Sequence, residues 1–388
     1  MRVTVLCQYP FKRMWGGPAV YIDRLTHHIS CIKDVELHVI TIGDKGKFFK
    51  KGNLNVHVVK ISKYLRLPFF IPILTLILRH KILKIDPDIV YAAQGTLPPY
   101  STAAALVRGR YPVVLTVLGI VAKEVEYRTS ISYRIWTSFN KPNERYVVSK
   151  IPNIIVGAKS IKNLIRTMTK SKIYVVPVGI EFEKMQKIEG HLNEKTDIFF
   201  ASRLAKIKGI DILIQAASRV INAIPNLSIC IAGSGPQENE LKSLVKRLNL
   251  EDHVKFLGFI SEEEKYQYYR ACKLVVVSSR WDCQPLTLFE TAASGKPVIA
   301  SDMSNPGIVE DGVTVFVFKS ENIKDLANKI ILLLQDEKLR EEMGRSAKEK
   351  AKQYDWSKVA ERYVEIYKDV IANFHERKIK NKKEGRIS

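Results

Sequence analysis

The sequence is poor in cysteine, and the few it has are scattered. Cys7, Cys31, Cys230, Cys272 and Cys283 are odd in number and include no close pair. That argues against a disulfide framework or a zinc site and fits a reducing, cytoplasmic compartment. The long apolar region of a signal peptide is also missing, and Met1-Arg-Val-Thr-Val-Leu6 reads instead as a first strand. No run reaches the length of a transmembrane helix. No RNP-like, zinc-finger or helix-turn-helix signature stands out, so nucleic acid is not an expected partner. Acidic residues are scarce beside basic ones, 40 Asp and Glu against 62 Lys and Arg, for a net charge of +22. Such an excess suits an anionic membrane or a phosphorylated ligand. Lysine-rich surfaces are also frequent in heat-adapted proteins.

The run nearest to a membrane span is Leu67–Leu78, which is short and contains two prolines. Lys60, Lys63 and Arg66 precede it, and Arg79, Lys81 and Lys84 follow it. Most of it is expected to be a helix packed on the sheet of a first domain. The exposed remainder is expected to lie in a membrane interface, apolar side chains inward and cations on the headgroups. Each such cation contributes about 1 kcal/mol near an anionic surface. A peripheral membrane surface, on the cytoplasmic side, is therefore one expected partner.

The chain has 388 residues, 46% hydrophobic and 26% charged, which suits a soluble protein of two domains. Short β-branched runs alternate with amphipathic helical patterns from Val3 to Val176, and again from Ile198 to Leu334. That alternation is the signature of parallel sheets covered on both faces. The polar stretch 183–196 lacks periodicity and reads as the linker. The expected organisation is a first domain over 1–182, a second over 197–355, a helix over 356–374 and a basic, disordered tail over 375–388. Open α/β sheets bind ligands at the carboxyl ends of their strands.

Three windows fall at such strand ends. In Phe200-Ala-Ser-Arg203-Leu-Ala-Lys-Ile-Lys208-Gly209, two cations stand beside a helix start, a suitable diphosphate site. In Gly233-Ser-Gly235, small residues would let a ligand approach the backbone, although a plain turn explains them equally well. In Asp282-Cys-Gln-Pro285-Leu286-Thr-Leu-Phe-Glu290, two acceptor-only carboxylates suit vicinal hydroxyls, and the helix start offers backbone N–H groups. No Ser-His-Asp or Cys-His constellation is evident.

The third window resembles the hallmark of the family 4 glycosyltransferases, which retain configuration at the anomeric carbon and have the GT-B fold. The family's Glu-x7-Glu before Ala-x-Ala-x-Gly-x-Pro-Val stands here as Asp282-x7-Glu290 before Thr291-Ala-Ala-Ser-Gly295-Lys-Pro297-Val298. Tyr9-Pro10 with Gly16-Gly17 resembles the family's first-strand loop, which contacts donor phosphates. Val176-Pro-Val-Gly-Ile-Glu181 resembles the end of its first domain, and Trp356 with the residues after it resembles its last helix, which crosses back to that domain. The resemblance implies two Rossmann-like domains facing across a cleft. It implies that Arg203 and Lys208 bind the donor diphosphate, Asp282 the transferred sugar and Glu290 the ribose. Gly233, Gly235, Pro285 and Leu286 would line the same donor. It further implies a UDP- or GDP-linked hexose as substrate, no metal or other cofactor, and a lipid-linked or polysaccharide acceptor.

The chain departs from the family at several points. Leu118 stands where the family has a histidine, with Glu124 the nearest polar candidate. Asp282 is shorter than the usual glutamate, and Cys283-Gln-Pro285 replaces Gly-Phe-Gly. Gly307 replaces a glutamate, Val178 an asparagine and Val315 a glycine. Two readings follow. The enzyme takes an unusual donor sugar, because a lost polar partner changes discrimination. Or the chain keeps the fold without the catalysis, and binds a nucleotide sugar or scaffolds a partner enzyme. The intact set Arg203, Lys208 and Glu290 favours the enzyme.

Overall fold

The computed structural model describes residues 1–8, 17–61, 70–93, 95–119, 131–188, 196–304, 308 and 310–384. The chain forms two units, Met1–Val176 with Trp356–Ser388, and Pro177–Asp355.

The first unit is built on β1 (Arg2–Leu6), β2 (Glu36–Gly43), β3 (Lys47–Lys51), β4 (Leu54–Lys60), β5 (Ile89–Ala92), β6 (Val113–Val117), β7 (Asn153–Val156) and β8 (Lys172–Val175). Their order is β3-β4-β2-β1-β5-β6-β7-β8. All pairings are parallel except β3 with β4. β5 and β6 are buried along their whole length, so their sequences are continuously apolar rather than alternating. β3 was not anticipated. Its Lys-Phe-Phe-Lys-Lys sequence buries almost nothing, and its place comes from the tight turn at Gly52, which has a positive φ.

Helix Ile71–Ile85 matches the described part of the expected apolar helix. Leu74, Thr75, Leu78 and Ile82 recur at helical spacing and are buried. Pro72 sits in the first turn, where no N–H is needed. The helix stops at Asp86, whose backbone is left-handed and whose N–H returns to the Ile82 carbonyl at 3.0 Å. Residues 67–69, with Lys63 and Arg66, lie outside the described residues. Among the described residues, no helix is long and apolar enough to cross a membrane.

The second unit has β9 (Ile198–Ala201), β10 (Ile229–Ala232), β11 (Val254–Gly258), β12 (Leu274–Val277), β13 (Val298–Ser301) and β14 (Val315–Phe318). The order is β11-β10-β9-β12-β13-β14, all parallel. Helices Ile210–Val220 and Ile323–Gln335 bury their apolar stripes against it.

Two boundaries differ from expectation. The units divide after Val176, not within 183–196. Residues Phe182–Gln186 form a helix, because Phe182 and Met185 are buried in an otherwise polar stretch. Gln186 donates to the Ala293 carbonyl at 2.9 Å, and Arg270 to that of Met185 at 3.0 Å. Residues 189–195 lie outside the described residues. The last helix runs over Trp356–Lys383, so most of the expected disordered tail is helical. Lys, Arg and Glu are strong helix formers, and no glycine or proline interrupts them before Gly385.

That helix belongs to the first unit. Trp356 is buried, 5.8 Å from Tyr21 and stacked at 6.4 Å on His28. Behind it the Tyr363 hydroxyl meets that of Tyr21, which lies 3.2 Å from Tyr91, and Tyr91 reaches Thr116 at 2.7 Å. Burial pushes all three phenols well above their ordinary range, so they are neutral hydrogen-bonding groups. Trp356→Ala is expected to destabilise the first unit by about 3–5 kcal/mol. Urea unfolding followed by tyrosine fluorescence measures this, and a loss below about 1 kcal/mol contradicts the packing.

Candidate active site

Strand order in the second sheet reverses between β9 and β12, and a crevice opens outside the carboxyl ends of such a pair. The loop after β9 (202–209) and the loop after β12 (278–285) meet there. Lys208 closes a short 3-10 turn, Lys206–Lys208, and Gly209 then opens the helix at φ +63°. A Cβ on Gly209 would lie 2.0 Å from the Ser278 carbonyl oxygen, so only glycine lets the loops touch. Ser278 Oγ donates to the Gly209 carbonyl at 2.7 Å, and the Arg280 N–H to that of Ile207 at 2.8 Å.

This contact brings Lys208 and Asp282 together. Lys208 Nζ donates directly to Asp282 Oδ2, both side chains being partly buried. Asp282 Oδ1 accepts from the Gln284 N–H at 3.2 Å. Arg203 lies on the first of these loops and is exposed. Pro285 caps helix Leu286–Ala293 in an extended conformation, and Leu286 begins the helix half-buried. Thr287 Oγ1 donates to the Ala201 carbonyl at 3.0 Å and fixes that helix start to the end of β9.

Glu290 is on the same helix and only 5% exposed. Its Oε1 accepts from Lys265 Nζ at 2.7 Å and its Oε2 from the Tyr269 hydroxyl at 3.2 Å. Burial and the Glu290 charge push the Tyr269 phenol well above its ordinary range, so it stays a donor. A carboxylate has about four acceptor positions, so those left over would serve a ligand.

Gly233 and Gly235 have a reason internal to the protein. A Cβ on Gly233 would lie 1.9 Å from the Ser202 carbonyl oxygen, and one on Gly235 2.3 Å from that of Leu204. The glycines admit the neighbouring loop: the Ser202 N–H binds the Ala232 carbonyl at 3.1 Å and the Leu204 N–H that of Ser234 at 3.0 Å. They support the loop that carries Arg203 and Lys208. In the first unit, Gly17 opens helix Gly17–Ser30 and is exposed. Leu118 follows β6 and is half-buried. Gly16, Tyr9, Pro10, Glu124 and Gly307 lie outside the described residues.

Sequence reasoning missed three residues. Arg280, buried in the second loop, grips Asp211 through two bonds of 2.8 and 2.7 Å, donates to the Lys206 carbonyl at 2.7 Å and pairs with Glu321. Asp211 and Glu321 raise its already high pKa, so it stays charged. Its only sequence signal was its place two residues before Asp282. Lys265 and Tyr269 are four apart on helix Glu262–Ala271, a spacing that sets both on one face.

Residues 181–350 match the family model described as Glycosyl transferases group 1, and residues 15–184 the model described as Glycosyltransferase Family 4. An uncharacterized glycosyltransferase of Methanocaldococcus jannaschii is 26% identical over 365 residues, 93% of this chain and 96% of that protein. Spore coat protein SA of Bacillus subtilis is 33% identical over 187 residues, 45% of this chain and 49% of that protein. Sucrose-phosphate synthase from Thermosynechococcus elongatus superposes with a TM-score of 0.79 at 17% identity, covering 96% of this chain and 99% of that one. The Anabaena protein HepE in complex with UDP-glucose superposes with a TM-score of 0.70 at 20% identity, covering 95% and 100%.

Arg280→Ala leaves the partly exposed Asp211, the exposed Glu321 and the Lys206 carbonyl without their partner, a loss of about 1–3 kcal/mol. The expected result is a lower unfolding midpoint that Arg280→Lys does not restore, since an ammonium cannot reproduce the bidentate fork. Full stability in Arg280→Ala contradicts the clamp.

Proposed function

The chain belongs to glycosyltransferase family 4 and has the GT-B fold, and from that premise we propose that it moves a hexose from a nucleoside diphosphate to a lipid-linked or polysaccharide acceptor with retention. The second unit is the donor side and the first the acceptor side. One observation carries this reading: the direct pairing of Lys208 with Asp282 at the point where strand order reverses. A diphosphate arriving there competes for the Lys208 ammonium. Asp282, released, accepts hydroxyls of the sugar. Arg203 adds a planar fork for a phosphate oxygen.

In the transfer, the bond from the anomeric carbon to the diphosphate oxygen breaks and a bond to the acceptor oxygen forms on the same face. The acceptor's proton passes to the departing phosphate oxygen. Lys208 and Arg203 stabilise the charge that grows on that leaving group. Glu290, held by Lys265 and Tyr269, reads the ribose. HepE was solved with UDP-glucose, which supports UDP as the nucleotide, with GDP as the second candidate.

A second reading rests on Leu118, whose side chain offers no hydrogen-bonding atom after the end of β6. In it the chain binds a nucleotide sugar without turning it over. Hydrolysis or transfer of donor by the isolated protein excludes that reading.

A thermal-shift screen with UDP- and GDP-sugars, without added metal, tests donor binding. A ligand at one hundred times its dissociation constant stabilises the fold by about 2.7 kcal/mol. No shift with any sugar nucleotide on folded protein rejects the donor site. Lys208→Ala is expected to lower transfer by roughly 100-fold or more while changing stability by no more than about 1 kcal/mol. Unchanged turnover and donor affinity would remove Lys208 from the diphosphate site. Glu290→Gln is expected to weaken UDP binding, measured by titration calorimetry, because an amide accepts fewer hydrogen bonds than a carboxylate.

A further inference from the structure

No aspartate or glutamate occurs between Asp44 and Asp86. The fold gathers the described part of that stretch at one edge of the first unit. The β3–β4 hairpin contributes Lys47, Lys50, Lys51 and Lys60, and helix Ile71–Ile85 contributes Arg79, Lys81 and Lys84. A groove of about 440 Å³ separates the two elements, with Lys47, Phe48 and His57 on one wall and Ile77, Lys81 and Lys84 on the other. Burial above all, with the neighbouring Lys81 and His38, pushes the His57 imidazole down to about 4, so it is neutral and is not one of the cations of the groove. Behind His57, His38 places its Nδ1 3.0 Å from His57 Nε2, and the bordering carboxylate, Glu36, is held by His38 and Arg2.

Large apolar side chains stand beside these cations, facing solvent. Ile73 is 49% exposed, Leu76 57% and Phe48 58%. The helix has buried its other apolar face already. A face of this kind fits a surface that is anionic at its outer layer and apolar just beneath.

We propose that the edge formed by the β3–β4 hairpin and helix Ile71–Ile85 docks on an anionic lipid bilayer, with Phe48, Ile73 and Leu76 in the acyl boundary and the lysines of the groove on lipid phosphates. This docking is independent of the donor site, so it stands or falls separately from the transferase reading.

The test is co-sedimentation of the full chain with vesicles of equimolar phosphatidylglycerol and phosphatidylcholine at low salt. The wild type is expected to pellet with these vesicles and to stay in solution with phosphatidylcholine alone. Lys81→Gln with Lys84→Gln should weaken partitioning by roughly fivefold for each cation removed. Ile73→Ser with Leu76→Ser, both at exposed positions, should weaken it by roughly tenfold for each side chain. Circular dichroism confirms that each variant is folded. Wild type that stays in solution with anionic vesicles overturns the proposal. So does full binding by both double variants, or loss of binding on Lys378→Glu with Lys380→Glu instead. Complete competition by millimolar glycerophosphate would mean that the groove takes a free phosphate, and overturns it as well.

Discussion

Two loops touching backbone to backbone make the carboxyl edge of the second sheet what it is. The Ser278 carbonyl occupies the space where any residue other than glycine at 209 would carry its Cβ. From that contact follow the turn that aims Lys208, the helix start behind it and the meeting of Lys208 with Asp282. Gly233 and Gly235 repeat the device one strand further out, where they let the 202–205 segment lie against the next loop. Glycine in these windows is a requirement of loop-on-loop packing before it is a requirement of any ligand.

The charges at this edge are arranged in closed sets. Asp282 has Lys208, Glu290 has Lys265 and Tyr269, and Arg280 has Asp211 and Glu321. The sets differ in how firmly they are held, and that decides what each can do. Arg280 is nearly enclosed and makes five hydrogen bonds, to Asp211, Glu321 and the Lys206 carbonyl. It therefore acts as a strut. Lys208 and Asp282 are joined by a single contact and are only partly buried, so one partner can be exchanged for another. Glu290 sits between these cases, a buried carboxylate with acceptor positions to spare.

Much of this could be read before any coordinates. Continuous β-branched runs separated by amphipathic stretches specify parallel strands with helical crossovers, and those placed nearly every strand of both units. Lys208 and Asp282 stand out in the sequence because each lies between a strand end and a helix start, and Glu290 because of its spacing from Asp282 in the hallmark that the window resembles. What escaped was what depends on partners distant in the chain. Arg280 is one arginine among many until Asp211 and Glu321 are seen around it. Lys265 looks like a surface lysine until Glu290 is seen beneath it. β3 has no pattern of its own and exists by pairing with β4. The expected tail looked unstructured because its composition is charged and apolar-poor, yet charged residues propagate a helix whose preceding turns are fixed by Trp356 and Tyr363.

The first unit is assembled from the two extremes of the chain, while the second lies between them in one uninterrupted stretch. Synthesis on the ribosome proceeds from one end only. When Val176 has emerged, the surfaces of Tyr21 and Tyr91 that helix Trp356–Lys383 will cover are still open to water. The intervening unit holds its own complete sheet by the time Asp355 appears, so it can finish folding before the unit that began first. The nascent protein thus carries an uncovered aromatic seam for the length of an entire domain's translation. Closing that seam has to wait until helix Trp356–Lys383 has emerged.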